Sequence, residues 1–573
     1  MTTEPNPTTS EDSTAPDRPG RRAFLGRLSG LGALAGVVAV RPPGTTPTPP
    51  TTAGPAPTPT TAPPSTTTVP TTTPSSTTTT VRTSPPTSTA PSTSTSTTTT
   101  TAPAGSADGG LSLHVARRCS FGPTPELLAE IRAVGTTAWI DAQLAWSKID
   151  DSATDAIVAS WPRVGQTAAE IAANGQAGAV RYDLGGATAA RAVFGRRHLH
   201  EVLVDFWWNH FNVDITNTLV GPHCPTHDRT VIRPLATARF ADLLVAVAKS
   251  PAMLLYLDQA LSRADGGRLP IENYAREMLE LHTVGVDGGY DETDVKEVAS
   301  LLSGWSLTDR VGTFTFRAAW HSPGPLAQGG DVLGWRLGGL SGVAAGESLL
   351  VHLARHPKTA ARLAHKLAVR FVGEHVQRTD PVVTDAAAVY LANDTAIAPT
   401  LRSILTSTAF RQSAGRRLRR PFDLYGATLR ALRLQWDPSR APDLASFTAS
   451  QLAQLDQVLH SCPTPDGHPD SDAAWNGAGS MIYRWNFATR AGSGLGMPAP
   501  IFDPARIVGT PTPATVGDAF DRIAVSILGE PLEATARTAI LTATGLTPTT
   551  RWNPAWSRSA IALVLQSPQH QVR

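Results

Sequence analysis

Across 573 residues, 49 lysines and arginines face 47 aspartates and glutamates, a formal net charge of +2. So even a balance gives no reason to expect a nucleic-acid-binding surface. Three cysteines, Cys119, Cys224 and Cys462, are too few for a disulfide scaffold and leave at least one thiol unpaired within the chain.

Reading from the N-terminus, Arg21-Arg22-Ala23-Phe24-Leu25 is followed by a mild apolar run, Leu28 to Val40. Pair, spacing and run together make a twin-arginine export signal over residues 1–40. The run is too short for a stable membrane span, which takes about 20 residues. Val37-Val38-Ala39 places signal-peptidase cleavage near Ala39, and with no cysteine before Cys119 a lipid-anchored N-terminus is not expected. The translocase of that route is the partner this predicts, and the extracellular space or cell envelope the destination. Residues 41–104 are almost entirely Thr, Ser and Pro. Such a segment cannot offset its ordering entropy and reads as a disordered linker, a stalk or passive spacer.

Residues 105–573 carry the globular part, long enough for a large core and for two lobes. Helical periodicity dominates. Thr124 caps a helix that opens on Pro125, buries Leu127, Leu128 and Ile131, and stops at Gly135. Further helices are predicted over 196–211, 238–248, 272–283, 346–355, 357–372, 399–410, 422–434 and 450–459, and one is capped by Asp291 and stopped by Gly304. Strand-like alternation is brief, at Gly312 to Arg317, and predicts one small hairpin near 311–337. The fold class is therefore mostly α. The run Arg416-Arg417-Leu418-Arg419-Arg420 reads as a solvated loop before Pro421.

The familiar catalytic signatures are absent: no Gly-x-Ser-x-Gly elbow, His-Glu-x-x-His, Cys-x-x-Cys, phosphate loop or dinucleotide fingerprint. Two dense polar segments stand out instead. Asp205-Phe206-Trp207-Trp208-Asn209-His210-Phe211-Asn212 lies on one predicted helix, and Glu272-Asn273-Tyr274-Ala275-Arg276-Glu277-Met278-Leu279-Glu280-Leu281-His282 on another. With His114-Val115-Ala116-Arg117-Arg118-Cys119, Ser303-Gly304-Trp305, Lys366 to Val372, Cys462-Pro463-Thr464-Pro465-Asp466-Gly467 and Ser567-Pro568-Gln569-His570, they resemble the bacterial family catalogued as domain of unknown function 1800. The resemblance spans nearly all of residues 111–573. It implies an often exported protein and fixes no reaction.

Read as chemistry, Asn273, Glu277 and Glu280 share one helical stripe, with Arg276 able to pair with Glu280. Glu201, Asp205 and Asn209 share another, with His210 beside it. Paired carboxylates near a histidine suit acid–base work or a divalent cation. An Arg–Glu lattice between helices, or a histidine satisfied by a carbonyl, accounts for the same residues. The site predicted is Asp205, Asn209, His210, Glu277, Glu280 and His282, with His210, Glu277 and Glu280 as the ligands of a divalent metal. His223, Cys224, His227 and Asp228 offer zinc-type ligands on a loop, for which a surface loop with a disulfide cysteine is the plainer reading. Cys224 and Cys462, both in Cys-Pro-Thr loops, are the expected disulfide. Two functions follow: an extracytoplasmic enzyme with an interhelical site, or a non-catalytic stalked envelope module that binds another exported protein or a polymer. Convergence of the two polar helices favours the first; the missing signatures favour the second.

Overall fold

Helix caps and helix stops written into the sequence set much of the architecture. The computed structural model describes residues 106–494 and 502–573; the predicted export signal and Thr/Ser/Pro linker lie outside them. The described part is mostly α, with one two-stranded antiparallel sheet.

After α1 (Ser106–Cys119), Thr124 accepts from the Leu127 amide and opens α2 (Pro125–Val134), which ends where Gly135 takes φ 83°. α3 (Thr136–Leu144), α4 (Val180–Phe194), α5 (His198–His210) and α6 (Phe240–Ala248) follow. The second polar segment is not one α-helix. α7 (Asn273–Glu277) widens into a π turn over Met278–His282. A second π turn, Asp228–Ile232, directly follows the turn Cys224–His227. Each inserts a residue into the helical register, so the stripe expected across 273, 277 and 280 is broken after Glu277.

Asp291 caps α8 (Glu292–Leu302) in a reciprocal box with Asp294. The hairpin begins earlier than its alternation suggested: β1 (Trp305–Leu307) pairs with β2 (Phe314–Phe316) in the register Trp305 to Phe316. Its first strand is buried throughout and so carries no alternation to read. α9 (Gly342–Arg355) and α10 (Pro357–Phe371) meet at the predicted break, before α11 (Pro381–Ala392) and α12 (Ile397–Leu405). α13 (Pro421–Ala431) follows; α14 (Ala441–Gln454) starts nine residues ahead of the predicted 450, because Pro442 and Asp443 make its first turn. α15 (Ala478–Ser493), α16 (Val516–Leu528) and α17 (Ser557–Leu565) follow. α10 packs on α11, α14 on α4, and α15 on α17. Trp139, Trp207 and Trp305 are among the largest fully buried side chains, and the Trp207 indole donates to the Ala236 carbonyl at 2.9 Å. No described helix is long and apolar enough to cross a membrane.

Three expectations are corrected. All three cysteines are buried and free, so Cys224 and Cys462 form no disulfide. Cys224 starts a helical turn and points its thiol at the Val220 carbonyl, while Cys462 faces the Thr464 hydroxyl. Cys224–His227 is that turn and not a loop: Pro225 sits in its first positions, where the missing amide costs nothing. The arginine run before Pro421 is mostly the opposite of solvated: Arg416 is exposed, but Arg417, Arg419 and Arg420 are at most 2% exposed.

α15 and α17 approach so closely that a Cβ on Gly492 would lie 2.5 Å from the Ala562 Cα. Gly492→Ala should therefore destabilise the fold by about 1–3 kcal/mol through overpacking against backbone, although alanine is the better helix former. Denaturant unfolding reads this directly; a wild-type midpoint would mean that the two helices can part without cost.

Candidate functional site

Glu201, Asp205 and Asn209 are spaced one turn apart on α5, and each is answered by a different partner. Glu201 takes two hydrogen bonds from Arg233 at 2.8 and 3.0 Å. Burial alone would raise its pKa, but Arg233 and His200 hold it well below the carboxylate range. Asp205 accepts from Arg370 at 3.3 Å and from Arg420. Asn209 makes a reciprocal pair with the backbone of His468, donating to its carbonyl at 2.9 Å and accepting from its amide at 2.8 Å. The loop bends here at Gly467, φ 76°, where a Cβ would strike the Asn209 carbonyl oxygen at 2.4 Å. The cavity beside Asp205 and Asn209 has a volume of about 30 Å³, room for water and little else. These two residues hold the fold together; they do not face Glu277 or Glu280.

Behind Asp205 lies a buried ionic lattice. Asp423 on α13 receives a two-pronged grip from Arg370 of α10, both bonds 2.9 Å, and pairs with Arg573 at 3.1 Å and Arg420 at 3.4 Å. Burial opposes its ionisation, yet Arg370 and Arg573 keep its carboxyl far below the usual range. Nothing in the local sequence pattern announced these partners.

The remaining predicted residues do gather. His210, at the last turn of α5, donates from Nε2 to the His282 carbonyl at 3.2 Å and accepts at Nδ1 from the Lys366 ammonium, also at 3.2 Å. Burial, then the charges of Lys366 and Arg362, drive its pKa far below the histidine range, so the ring is neutral with its proton on Nε2. His282 is fully buried, and neither ring nitrogen has a hydrogen-bond partner. Burial first, then Arg362 and Lys366, bring it down to about 3. The π turn puts its carbonyl within reach of α5. Arg362 of α10 donates to the Leu281 carbonyl at 2.6 Å.

Glu277 and Glu280 are half-buried beside this group. Glu280 accepts from the Tyr290 hydroxyl at 3.3 Å. Burial, then the charge of Glu280, raise the pKa of Glu277, with exposed Asp466 adding to the rise. Lys366 is moved the other way, down to about 8, chiefly by burial, with the charge of Arg362 adding to the fall and Asp470 and Asp466 opposing it. Asp466 thus acts on both. Arg276 does not pair with Glu280: it takes Glu292 at 2.7 and 2.9 Å and Glu272 at 3.3 Å.

The predicted metal set does not assemble. Among the described residues no group of three or more His, Cys, Asp or Glu is placed to hold a metal ion, and both nitrogens of His210 are already engaged. The residues around Cys224 are likewise split: His223 meets the Arg310 carbonyl at 2.9 Å, His227 the Ser250 hydroxyl at 2.8 Å, and Asp228 the Arg233 guanidinium at 2.6 Å. Lys366 and Arg362 were missed as site residues. The readable signal was their spacing with Arg370: 362, 366 and 370 form a cationic stripe on a helix otherwise rich in Leu and Ala.

The pH dependence of stability has a definite sign. His282 falls to about 3 in the fold from the ordinary histidine value of 6.5, and His114, His227 and His460 to about 4. Below pH 6.5 the unfolded chain binds protons that the folded one refuses, so this stability is full above 6.5 and is lost as pH falls toward 4. The melting temperature should drop across that window, and less steeply in His282→Gln. An unchanged slope in that variant would show that His282 titrates alike in both states.

No curated protein and no solved structure matches the chain. The model of the family described as "Protein of unknown function (DUF1800)" matches residues 114–572. A match over that length, on a mostly α chain whose polar residues converge at His210, Lys366 and the 277–282 turn, shows that the protein belongs to this family.

Proposed function

We propose that the protein is exported folded through the twin-arginine route and works outside the cytoplasm as an acid–base enzyme, with Glu277 as general base and Lys366 as general acid. The observation that carries this reading is the Lys366 ammonium held 3.2 Å from the neutral His210 ring, whose other nitrogen meets the His282 carbonyl of the turn that carries Glu280 and follows Glu277. Shifts in opposite directions bring the two groups toward neutral pH, Glu277 upward and Lys366 to about 8. Where Glu277 has lost its proton and Lys366, below about 8, still holds its own, one is a carboxylate and the other an ammonium, the protonation states that proton removal and proton donation need. His210 positions Lys366 through Nδ1, and Glu280, tethered by Tyr290, tunes Glu277. Arg362 adds positive charge for a developing oxyanion. The reaction class this fits is hydrolysis or elimination on an uncharged or anionic substrate.

A second reading, a non-catalytic module that docks an exported protein or a polymer, is favoured by a different surface. A groove of about 540 Å³ between α4 and α14 is lined by Tyr182, Ile215, Ala445 and Leu452 and has few ionisable groups. Ile482, Tyr483 and Trp485 of α15 are also exposed.

Secreted protein assayed on a panel of ester, glycoside and amide reporters should show a bell-shaped pH profile whose alkaline limb falls near pH 8. Glu277→Gln and Lys366→Met should each lower the rate by roughly 10²–10⁴-fold while keeping the helical circular-dichroism spectrum. Turnover that survives both changes would end the acid–base assignment. Separately, replacing Arg21 and Arg22 by lysine should leave the chain in the cytoplasm; unchanged export from a strain lacking the twin-arginine translocase would remove the export assignment.

A further inference from the structure

The ionic lattice behind Asp205 carries more positive charge than the protein itself answers. Arg118, Arg370, Arg417, Arg420 and Arg573 are each at most 1% exposed. Arg419 and Arg484 lie against them, the latter donating to the Arg419 carbonyl at 2.7 Å. The acids that reach this group are Asp205, Asp423, Asp470 and Asp472. Seven guanidiniums face four side-chain carboxylates, so the side chains alone leave the group net positive.

The excess is concentrated on particular atoms. Arg118, in the last turn of α1, donates through Nη2 to the Ser413 carbonyl at 2.7 Å and makes no ion pair among the described residues. Its Nε and Nη1 have no hydrogen-bond partner, and neither do Nε of Arg370, Nη1 of Arg417 and Nε of Arg573. These four residues are neighbours: the Arg573 guanidinium donates to the Arg370 carbonyl at 2.9 Å and its amide to the Arg417 carbonyl at 2.8 Å, while burial, then the charges of Arg417 and Arg370, bring Arg118 down to about 9. A buried lysine in this position could shed its proton. A guanidinium keeps its charge, and a buried unpaired charge with unused N–H groups is the arrangement proteins compensate with a counter-ion.

We propose that Arg118, Arg370, Arg417 and Arg573 enclose a small inorganic anion, held by the N–H groups that no protein acceptor meets. The site is separate from Lys366 and Glu277 and takes part in no proton transfer. It completes the junction of α1, α10, the 417–420 segment and the 572–573 segment, which meet there. A planar guanidinium fork suits a tetrahedral oxyanion, whereas close-set single N–H groups suit a halide, and the experiment separates the two.

The full chain is desalted into sodium gluconate, and its melting temperature is followed as chloride, sulfate or phosphate replaces gluconate at constant ionic strength. The expected result is a saturable rise of roughly 2–4 °C, with chloride alone for a halide site or with sulfate and phosphate for an oxyanion site. An anion too tightly held to exchange is read instead by ion chromatography after denaturation, as about one equivalent released per chain. Arg118→Gln should abolish the rise or the release. If that variant does not fold, Arg118→Lys, which keeps the charge and loses the fork, should shift the saturation midpoint about tenfold to higher anion concentration. The proposal is overturned if the chain releases no anion and its melting temperature is the same in all four salts, or if either variant binds the anion as wild type does.

Discussion

The carboxylate of Asp423 is the point on which the described structure turns. It is fully buried, and it is approached by arginines from α10, from the segment before α13 and from residue 573. Asp205 extends the same lattice to α5 through Arg370 and Arg420. Four chain segments far apart in sequence are thereby fixed by charge as well as by apolar packing. Removing one partner from such a set leaves the others buried and unpaired, a cost of about 3–5 kcal/mol, well above what a surface ion pair contributes.

This lattice also explains why the polar site near Lys366 can be held in place without metal ligands or disulfides. On α10 the residues Arg362, Lys366 and Arg370 follow one another at one-turn intervals. Arg370 anchors the helix in the lattice, and Lys366 is carried one turn away to meet His210. On α5 the same division holds, with Asp205 in the lattice and His210 at the site. Each helix is clamped at one point and offers a working group about 6–8 Å further along its axis. That lever arm is short enough to fix the distance between the two groups.

How much of this was legible depended on the range of the interaction. Caps and stops are local, so Thr124, Asp291, Gly135 and the break at Pro357 were all readable and all stand where expected. The meeting of His210 with the 277–282 segment followed from two amphipathic helices that each had a polar stripe to satisfy. Which atoms meet was not legible, because the π turn at Met278–His282 has no counterpart in residue pattern: side chains good for α serve equally in π. The arginine run before Pro421 misled for a physical reason. Charge density on a short segment normally predicts solvation, and partners brought in mostly from distant parts of the sequence, such as Asp205 and Asp472, make its burial tolerable. Lys366 was hidden by the same logic, since a lysine on a helix gives no sign that burial will move its pKa.

The three thiols have a consequence for how the protein is made. All are buried and unpaired, and burial pushes the Cys119 thiol up to about 12, so almost none of it is thiolate at neutral pH. Exchange chemistry needs the thiolate and access to it; burial denies access to all three and disfavours the thiolate of Cys119 and Cys224. No covalent cross-link is being waited for as the chain becomes ordered. Once folded, the protein is therefore indifferent to whether its surroundings oxidise or reduce, and a foldase that shuffles sulfur bonds would find nothing on it to act upon.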